Sequence, residues 1–372
     1  MKKQQPLREV AWIFLKLGCL SFGGPVAHIA LMEQEIVAKK KWIDHSHFMD
    51  LIGITNLIPG PNSTELTMHC GYEKAGIRGL FVAGLCFILP AVLITAFCAY
   101  LYQRYQQLPA WQGVLTGITP VILAIVLQAA YNLTRNAVKS KLLSILLLFT
   151  IVACFLGMNE IALLFGTGIG YMLLTLLPSR INTYSFLPLL QNIFNGSFVI
   201  DFPVKIFFIF LKIGALLYGS GYVLFAFLKS ELLDKGLITE QQLMDAIAVG
   251  HFTPGPLFST ATFIGWQMDG WRGALLATAG IFMPSFFFVW LVRPLIPRLR
   301  QSRWMSAFLD GVNVAAIGLI LFVAFSLGQN SLTDWRTVSI FIAAVCLLLF
   351  LPKINSAFLI AAGGIGGYLF LS

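Results

Sequence analysis

The segment NLIPGPNSTELTMHCG at residues 56–71 decides the fold, because a related segment, GHFTPGPLFSTATFIG, recurs at residues 250–265. Each segment contains a Pro-Gly-Pro tripeptide within a long apolar region. Proline lacks an amide donor and disfavours helical backbone at the residue before it, so each tripeptide should end one helix and let another begin. The pattern predicts two helix N-termini away from water, and a helix N-terminus is a site for an anion.

The composition places the chain in a membrane. It is 58% hydrophobic and only 11% charged, with a mean hydropathy of +0.82, which lies outside the range of soluble proteins. The net charge of +9 is spread over loops without a basic stripe, so cytoplasmic loops are expected and a nucleic-acid partner is not. The six cysteines lie in apolar runs without a CxxC pair, which predicts small buried hydrophobic residues.

The chain contains an internal repeat. FLKLGCLSFGG at residues 14–24 reappears as FLKIGALLYGS at residues 210–220, and the Pro-Gly-Pro tripeptides follow at matching distances. Two further pairs keep the register within a residue or two: AGIRGLFVAGLCFILPA (75–91) with DGWRGALLATAGIFMPS (269–285), and LTGIT (115–119) with LDGVN (309–313). We therefore divide the chain into two homologous halves and a polar connector: residues 1–178, 202–372 and 179–201.

Each half should begin with broken helices and continue with ordinary spans. In the first half, Gly23, Gly24 and Pro25 should break the first helix, and Asp44 can cap the helix before the first Pro-Gly-Pro. None of these pieces has the roughly 20 uninterrupted apolar residues of a simple span, so broken or re-entrant helices are expected. Ordinary spans are predicted near residues 79–100, 111–131, 142–157 and 161–177, and again near 274–292, 305–327, 338–351 and 357–370.

The loop charges indicate that the halves are inverted. Four arginines follow the first ordinary span of the second half, whereas the corresponding loop of the first half, residues 100–109, has only Arg104. If the arginine-rich loop is cytoplasmic and its counterpart is not, the halves have opposite orientations. Four ordinary spans per half would by themselves give parallel halves, so inversion requires one more crossing in the broken regions or the connector. The expected fold is an all-α polytopic membrane protein with inverted repeats.

Inverted repeats with discontinuous helices are how secondary transporters build a central substrate site. A pseudo-two-fold axis could bring four breaks together here, and the alternative is that glycine and proline only kink closely packed membrane helices. Hydroxyl and amide groups follow the breaks at the point where free backbone amides need partners. The candidate anion-binding residues are Gly23, Gly24, Pro25, Gly60, Pro61, Asn62, Ser63, Thr64, Gly219, Ser220, Gly221, Gly255, Pro256, Ser259 and Thr260.

Two lysines occupy equivalent positions within apolar helices. Lys16 and Lys212 each precede a glycine break by seven residues. An intramembrane cation is a functional hypothesis by default, and snorkelling towards an interface is the alternative. Asp310 and Asn313 lie three residues apart on one helix face and suit interhelical hydrogen bonding or the lining of a pathway. Membrane-interface anchors, with anion contact as the alternative, are expected at two equivalent arginines: Arg78 and Arg272.

Glu65 is the clearest acidic residue in an apolar setting. A carboxylate is favoured near a helix N-terminus, so capping is one interpretation. The other is a proton-coupling or gating group, since an acid beside an anion site competes with the substrate unless it is protonated. His28, His69 and His251 could titrate near neutral pH, but they lack the spacing of a metal site. No metal or cofactor is expected.

Five motifs together carry a family pattern. They are FGGPVAHI (22–29), PGPNSTEL (59–66), GYEKAGIRGLFVAGLCFILPA (71–91), YGSGYVL (218–224) and VGHFTPGP (249–256). The chain strongly resembles the chromate ion transporter family in its long form with two fused domains. The resemblance implies a multi-pass bacterial inner-membrane protein that exports chromate, driven by the membrane potential or a proton gradient. Half-length members of that family work as pairs of opposed topology, and sulfate or another oxyanion is the alternative substrate.

The function expected from these observations is secondary active transport of a tetrahedral oxyanion by alternating access, with chromate moving outward. Sulfate uptake or exchange is a second hypothesis. One of another class is an intramembrane enzyme that uses Glu65 with His28 or His69 as acid and base, although the duplicated break favours transport. A channel also stays open. The expected partners are a chromate-like or sulfate-like oxyanion and the lipid bilayer, and the sequence is compatible with a homodimer.

Overall fold

The computed structural model describes residues 5–22, 25–105, 109–176, 202–218, 221–292, 302–351, 354 and 356–371. Throughout these residues the secondary structure is helical, without strands. Part of the predicted site lies outside the described residues, namely Gly23, Gly24, Gly219 and Ser220, and so does the connector.

The two halves repeat the same order of helices. In the first half these are α1 (Gln5–Leu20), α2 (Pro25–Met32), α3 (His45–Thr55), α4 (Asn62–Tyr105), α5 (Pro109–Ala137), α6 (Lys141–Phe155) and α7 (Glu160–Leu176). In the second half they are α8 (Phe202–Leu216), α9 (Leu224–Leu228), α10 (Glu240–Phe252), α11 (Thr260–Val292), α12 (Arg303–Ser331), α13 (Trp335–Phe350) and α14 (Ser356–Leu371). Short 3-10 turns precede α9 and α11, at Gly221–Val223 and Leu257–Ser259. Equivalent π-helices continue α2 and α9, at Glu33–Lys39 and Lys229–Leu233.

Among the described residues, four helical stretches are long and apolar enough to cross a membrane: Asn62–Tyr105, Gln112–Ala137, Leu257–Val292 and Arg303–Gln329. The shorter apolar helices α6, α7, α13 and α14 accompany them. Large apolar side chains are exposed on the outer faces, as contact with lipid requires, and they include Leu85, Phe97, Leu148, Phe287 and Phe350. The predicted all-α polytopic membrane fold with two homologous halves is confirmed.

Polar side chains begin the helices that follow loops. The Asp44 carboxylate accepts a hydrogen bond of 2.8 Å from the amide of His47, which confirms the predicted cap of α3. Asp334 caps α13 in the same way, through the amide of Thr337 at 2.8 Å. That hydrogen bond, made to the ionised form, holds the pKa of Asp334 below its usual value.

A sharp turn divides α4 into two antiparallel pieces, residues 62–74 and 77–105. Gly76 supplies the turn with a φ of +64°, a conformation that favours glycine. Gly71 and Gly79 face each other across the turn so closely that a Cβ atom on either would overlap the backbone of the other. The equivalent turn and contact in α11 use Gly270, Gly265 and Gly273.

The first half contains two re-entrant hairpins that start from the same end of the molecule. His47, near the start of α3, lies 3.7 Å from Glu73, near the end of the first piece of α4. The Pro-Gly-Pro between them therefore lies at the inner tip of a hairpin. Glu9, near the start of α1, pairs with Lys40 at 3.0 Å and with Lys74 at 3.5 Å, so α1 and α2 also return to this end. We call it the first end.

The hairpins of the second half enter from the opposite end. Residues 77–105 of α4 carry the chain to this second end, where the Tyr102 hydroxyl donates a hydrogen bond of 2.7 Å to Asp245, on α10. The indole N–H of Trp266, in the short first piece of α11, donates to the Gln103 side chain at 3.0 Å. The entrance to the second half's hairpins is thus at the second end, and the predicted inversion of the halves is confirmed.

The extra crossing that inversion requires does not come from the broken regions of the first half, because both of its hairpins return to the first end. The connector lies outside the described residues.

The helices form two groups. A central group, α1–α4 with α8–α11, is held by packing of α1 on α4, of α8 on α11 and of α4 on α11. A flanking group, α5–α7 with α12–α14, is held mainly by packing of α5 on α13 and α14, and of α12 on α6 and α7.

Candidate functional site

Equivalent hydrogen bonds hold the two Pro-Gly-Pro tips at the centre of the molecule. The amide of Gly60 donates to the carbonyl of Leu217, and the amide of Gly255 donates to the carbonyl of Ser21, both at 2.8 Å. Leu217 and Ser21 occupy the same position of the repeat, at the ends of α8 and α1. Each tip therefore binds the broken helix of the other half, as a pseudo-two-fold axis predicts.

A cavity of about 930 Å³, which we call the vestibule, lies between the central and flanking groups. Its inner wall includes residues that follow the helix breaks: His28, Pro61, Asn62, Ser63, Gly221 and Pro256. Its outer wall carries polar stripes of α5 and α12: Gln128, Asn132, Asn136, Ser306, Asp310 and Asn313. At its rim Lys139 pairs with Asp310 at 3.4 Å, where α5 ends and α12 begins. The vestibule therefore opens at the first end. Asp310 and Asn313, for which interhelical hydrogen bonding or the lining of a pathway was expected, line this cavity.

The N-terminus of α4 faces the vestibule. The first backbone hydrogen bonds of this helix run from the amides of Thr64 and Glu65 to the carbonyl of Pro61, at 2.8 and 3.0 Å. The amides of Asn62 and Ser63 precede these bonds, and both residues line the cavity. The partial positive charge of the helix end is thus presented to whatever occupies the vestibule.

The equivalent terminus in the second half lines the same vestibule with apolar side chains. Leu257 stands where the first half has Asn62, and Phe258 stands where it has Ser63. The two helix ends therefore share their backbone dipoles but differ in side-chain donors. The α4 terminus is the polar side of the site.

His28 fixes the Ser63 hydroxyl. The His28 Nε2–H donates to the carbonyl of Ser21 at 3.2 Å, because a carbonyl oxygen can only accept. In the neutral ring Nδ1 then accepts from the Ser63 hydroxyl at 3.1 Å. One histidine thus joins the end of α1 to the start of α4 at the vestibule wall.

Several predicted anion-binding residues do not line the vestibule. Ser259 and Thr260 are fully buried, and the Thr260 hydroxyl donates to the carbonyl of Leu257 at 2.7 Å. Contrary to the prediction, these hydroxyls do not face the vestibule. The equivalent residues of the first half, Thr64 and Glu65, are buried as well, so in both halves the first two residues after the Pro-Gly-Pro line the cavity and the next two do not. Five further candidates do not line the vestibule: Gly60, Thr64, Glu65, Gly255 and His251. Pro25 is the first residue of α2, and its side chain is not among those the structure describes.

Lys16 and Lys212 form equivalent ion pairs and do not line the vestibule. Lys16 lies 3.5 Å from Glu35, and Lys212 lies 2.6 Å from Glu231. Both glutamates lie in the π-helices that continue α2 and α9, so each pair ties the two arms of one hairpin together. The sequence analysis missed these glutamates, although their equivalence in the repeat was a readable signal.

The equivalent arginines, Arg78 and Arg272, are exposed beside the turns within α4 and α11, where an interface anchor is expected.

The proposed acid–base pair of an enzyme is not assembled. His28 lines the vestibule, whereas Glu65 is fully buried and does not. His69 is also buried, one helical turn beyond Glu65. These three residues therefore do not line the vestibule together, as an acid and a base acting there on one substrate would have to.

A second space is the repeat equivalent of the vestibule and is almost closed, with a volume of about 10 Å³. Equivalent residues line the two spaces: Ile29 and Phe225, Ile52 and Ile247, Ala129 and Val323, and Leu133 and Leu327. Tyr222 and Ile320 line both and separate them. Around the closed space α10 packs on α5 and α14, and α9 packs on α12. The central and flanking groups thus meet at the second end and part at the first.

These features define a class of protein: a membrane transporter of two inverted halves whose discontinuous helices meet at a cavity open at one end. The chain belongs to the chromate transporter family, whose model, described as "Chromate transporter", matches residues 8–195 and 204–368. The resemblance seen in the motifs is confirmed. The chain is a multi-pass bacterial membrane protein and a transport protein rather than an enzyme.

Relatives extend over the whole chain. The chromate transport protein of Cupriavidus metallidurans is 31% identical over 371 residues, which are 97% of this chain and 92% of that protein. The probable chromate transport protein of Synechococcus elongatus is 30% identical over 378 residues, 98% of this chain and 96% of that protein. An uncharacterized transporter of Bacillus subtilis is 32% identical over 161 residues, 43% of this chain and 80% of that protein. No solved structure matches.

Proposed function

We propose that this protein is a secondary active transporter that carries chromate out of the cell by alternating access. The observation that carries the proposal is the pair of repeat-equivalent spaces, one open at about 930 Å³ and one closed at about 10 Å³. They share Tyr222 and Ile320, and the vestibule reaches both helix N-termini, where an anion is favoured. A symmetric exchange between the two halves would close the vestibule and open its counterpart at the second end. The closed packing at the second end argues against a permanently open channel.

The distribution of basic residues supports a cytoplasmic position for the first end. Basic residues of the first end are Arg8, Lys39, Lys40, Lys41, Lys74, Arg78, Arg135, Lys139, Lys141 and Arg303. Within the described part of the chain fewer lie at the second end, namely Arg104, Lys205, Lys229, Lys235, Arg272 and Arg336. By the positive-inside rule the vestibule then opens to the cytoplasm. The described conformation is the one that would load an anion from inside the cell.

The donors of the vestibule suit a tetrahedral dianion. Asn62 and Ser63, whose backbone amides precede the first hydrogen bonds of α4, line one side of the site, and the side-chain amides of Gln128, Asn132 and Asn136 follow at helical spacing along α5. The lysine at the rim is already paired with Asp310. Neutral donors and helix dipoles hold the anion without a full ion pair, which favours its release. A membrane potential, negative inside, drives a dianion outward by about 2.3 kcal/mol per charge per 100 mV.

Sulfate is the second candidate substrate, because it has the shape and charge that these neutral donors recognise in chromate. Direct transport measurements separate the two. Everted membrane vesicles present the cytoplasmic end to the medium, so labelled chromate should enter them faster than it enters vesicles without the protein. An interior-positive potential should increase this rate. If sulfate is transported and chromate is not, sulfate is the substrate in place of chromate. The absence of flux for both anions would refute the proposal.

A further inference from the structure

Glu65 is a carboxylic acid enclosed between the two halves. Its side chain is fully buried in the first turns of α4. The Ser285 hydroxyl of α11 lies beside it, and the Gly60 tip packs against both groups. In the part of the chain that the structure describes, neither carboxyl oxygen has a cationic partner or a hydrogen bond of good geometry. The group therefore sits in a closed polar pocket behind the vestibule wall.

The titratable groups on the surrounding elements do not neutralise Glu65. From the end of α8 the phenol of Tyr218 approaches, and on α2 the ring of His28 is engaged by Ser63 and Ser21. On α4 itself His69 follows one turn later and is buried. The nearby helix α1 places Lys16 in a pair with Glu35. An ionised carboxylate enclosed without a cation is strongly disfavoured, so this conformation holds Glu65 as the neutral acid.

The position of Glu65 links its proton to the anion. Asn62 and Ser63, which line the vestibule at the N-terminus of α4, lie three and two residues before Glu65, within one helical turn. A negative charge on Glu65 would oppose the positive end of the helix and repel a dianion bound there. The anion-loaded closed state therefore requires protonated Glu65.

We propose that Glu65 is the coupling proton site and that its proton moves in the same direction as the anion. This inference rests on the proposed transport function. On the side where the anion leaves, the tip opens to water and the acid releases H⁺ there. The empty carrier returns with the carboxylate hydrated at the open tip, and Glu65 takes up H⁺ from water on the loading side before the next anion is enclosed. Thr260 stands at the equivalent position of the second half and does not titrate in this range. One proton therefore accompanies each dianion, and the transported unit carries one negative charge.

The purified protein in liposomes tests this. The membrane potential is clamped with potassium and valinomycin, a chromate gradient is imposed, and a trapped pH dye reports protons beside labelled chromate. We expect the lumen to acidify as chromate enters, with about one proton for each chromate. Movement of protons against chromate, or no proton movement, would overturn the inference. The absence of chromate flux in the unaltered protein would instead overturn the proposed function.

Glu65→Gln separates the protein's proton from protons that chromate itself carries. Glutamine mimics the neutral acid but cannot exchange a proton, so the ratio of protons to chromate should fall from about one to nearly zero. Glu160→Gln makes the same chemical change in α7, away from the anion site, and should keep the ratio of the unaltered protein. An unchanged ratio in Glu65→Gln would assign the coupling elsewhere. If this variant carries no chromate, the ratio and direction in the unaltered protein decide alone.

Discussion

Gly60 packs against Ser285 so closely that a Cβ atom added to the glycine would overlap the serine hydroxyl. The equivalent glycine, Gly255, faces Ala91, which is the residue of the first half that corresponds to Ser285. The Pro-Gly-Pro tips therefore press on the same point of α11 and α4, just after a proline within each helix. Both glycines have a positive φ, +138° and +94°, which other residues rarely adopt.

Replacement of either tip glycine by alanine should inactivate transport. In Gly60→Ala and Gly255→Ala the positive φ and the missing space each strain the tip, at a cost of about 1–3 kcal/mol. We expect at least a tenfold loss of chromate flux per inserted molecule and a lower melting temperature in detergent. Gly170→Ala, in α7 and with open space around it, is the matched control and should behave like the unaltered protein. Full flux in both tip variants would remove the tips from the mechanism.

The polar side of the vestibule should determine anion affinity. Asn62→Leu introduces the residue that the second half has at this position, and Ser63→Ala removes the hydroxyl bound to His28. Hydrogen bonds to charged groups contribute about 1.5–3 kcal/mol, so KM for chromate should rise by roughly 10- to 100-fold in Asn62→Leu. The rise should be smaller in Ser63→Ala, because the Ser63 hydroxyl donates its hydrogen to His28 and acts on the anion only by positioning the start of α4. Leu257→Asn changes the apolar terminus and should not raise KM. An unchanged KM in both first-half variants would place the anion elsewhere.

Equivalent positions in the two spaces should differ in accessibility. Ala129 lines the vestibule, and its repeat partner Val323 lines the closed space. In a protein whose six native cysteines have been replaced, Ala129→Cys should react with a membrane-impermeant thiol reagent from the cytoplasmic end. Val323→Cys should be protected from the same side. Equal labelling of both positions would contradict the closed second space.

The lysine in α8 should stabilise the fold rather than bind the anion. Lys212→Met leaves the nearly buried Glu231 with Lys235 as its remaining partner. Loss of one partner of a buried charge is destabilising, here by about 1–2 kcal/mol because the second lysine stays. The melting temperature should fall while KM for chromate stays unchanged. Lys212→Met combined with Glu231→Gln should recover most of the loss, and a raised KM with no change in melting would favour an anion role.

The sequence predicted the Pro-Gly-Pro breaks, the Asp44 cap and the positions of the spans to within a few residues, because proline, glycine and apolar runs act locally. It also singled out Lys16 and Lys212 as residues that need an explanation, since a cation in an apolar helix is costly. It did not predict their partners, because Glu35 and Glu231 lie nineteen residues further on, across a break whose direction is set by packing. It misplaced the Ser259 and Thr260 hydroxyls, because in both halves the third and fourth residues after the Pro-Gly-Pro are buried within the protein instead of lining the vestibule.

What the sequence by itself determined is the duplicated order of helices and the inverted arrangement, since repeats and loop charges are written in the chain. Which of the two equivalent spaces is open was decided only by the tertiary structure. Both spaces have corresponding residues, so no local preference distinguishes them. The difference arises from how the central group lies against the flanking group: α10 and α9 pack closely at the second end, while the first end stays apart around the vestibule.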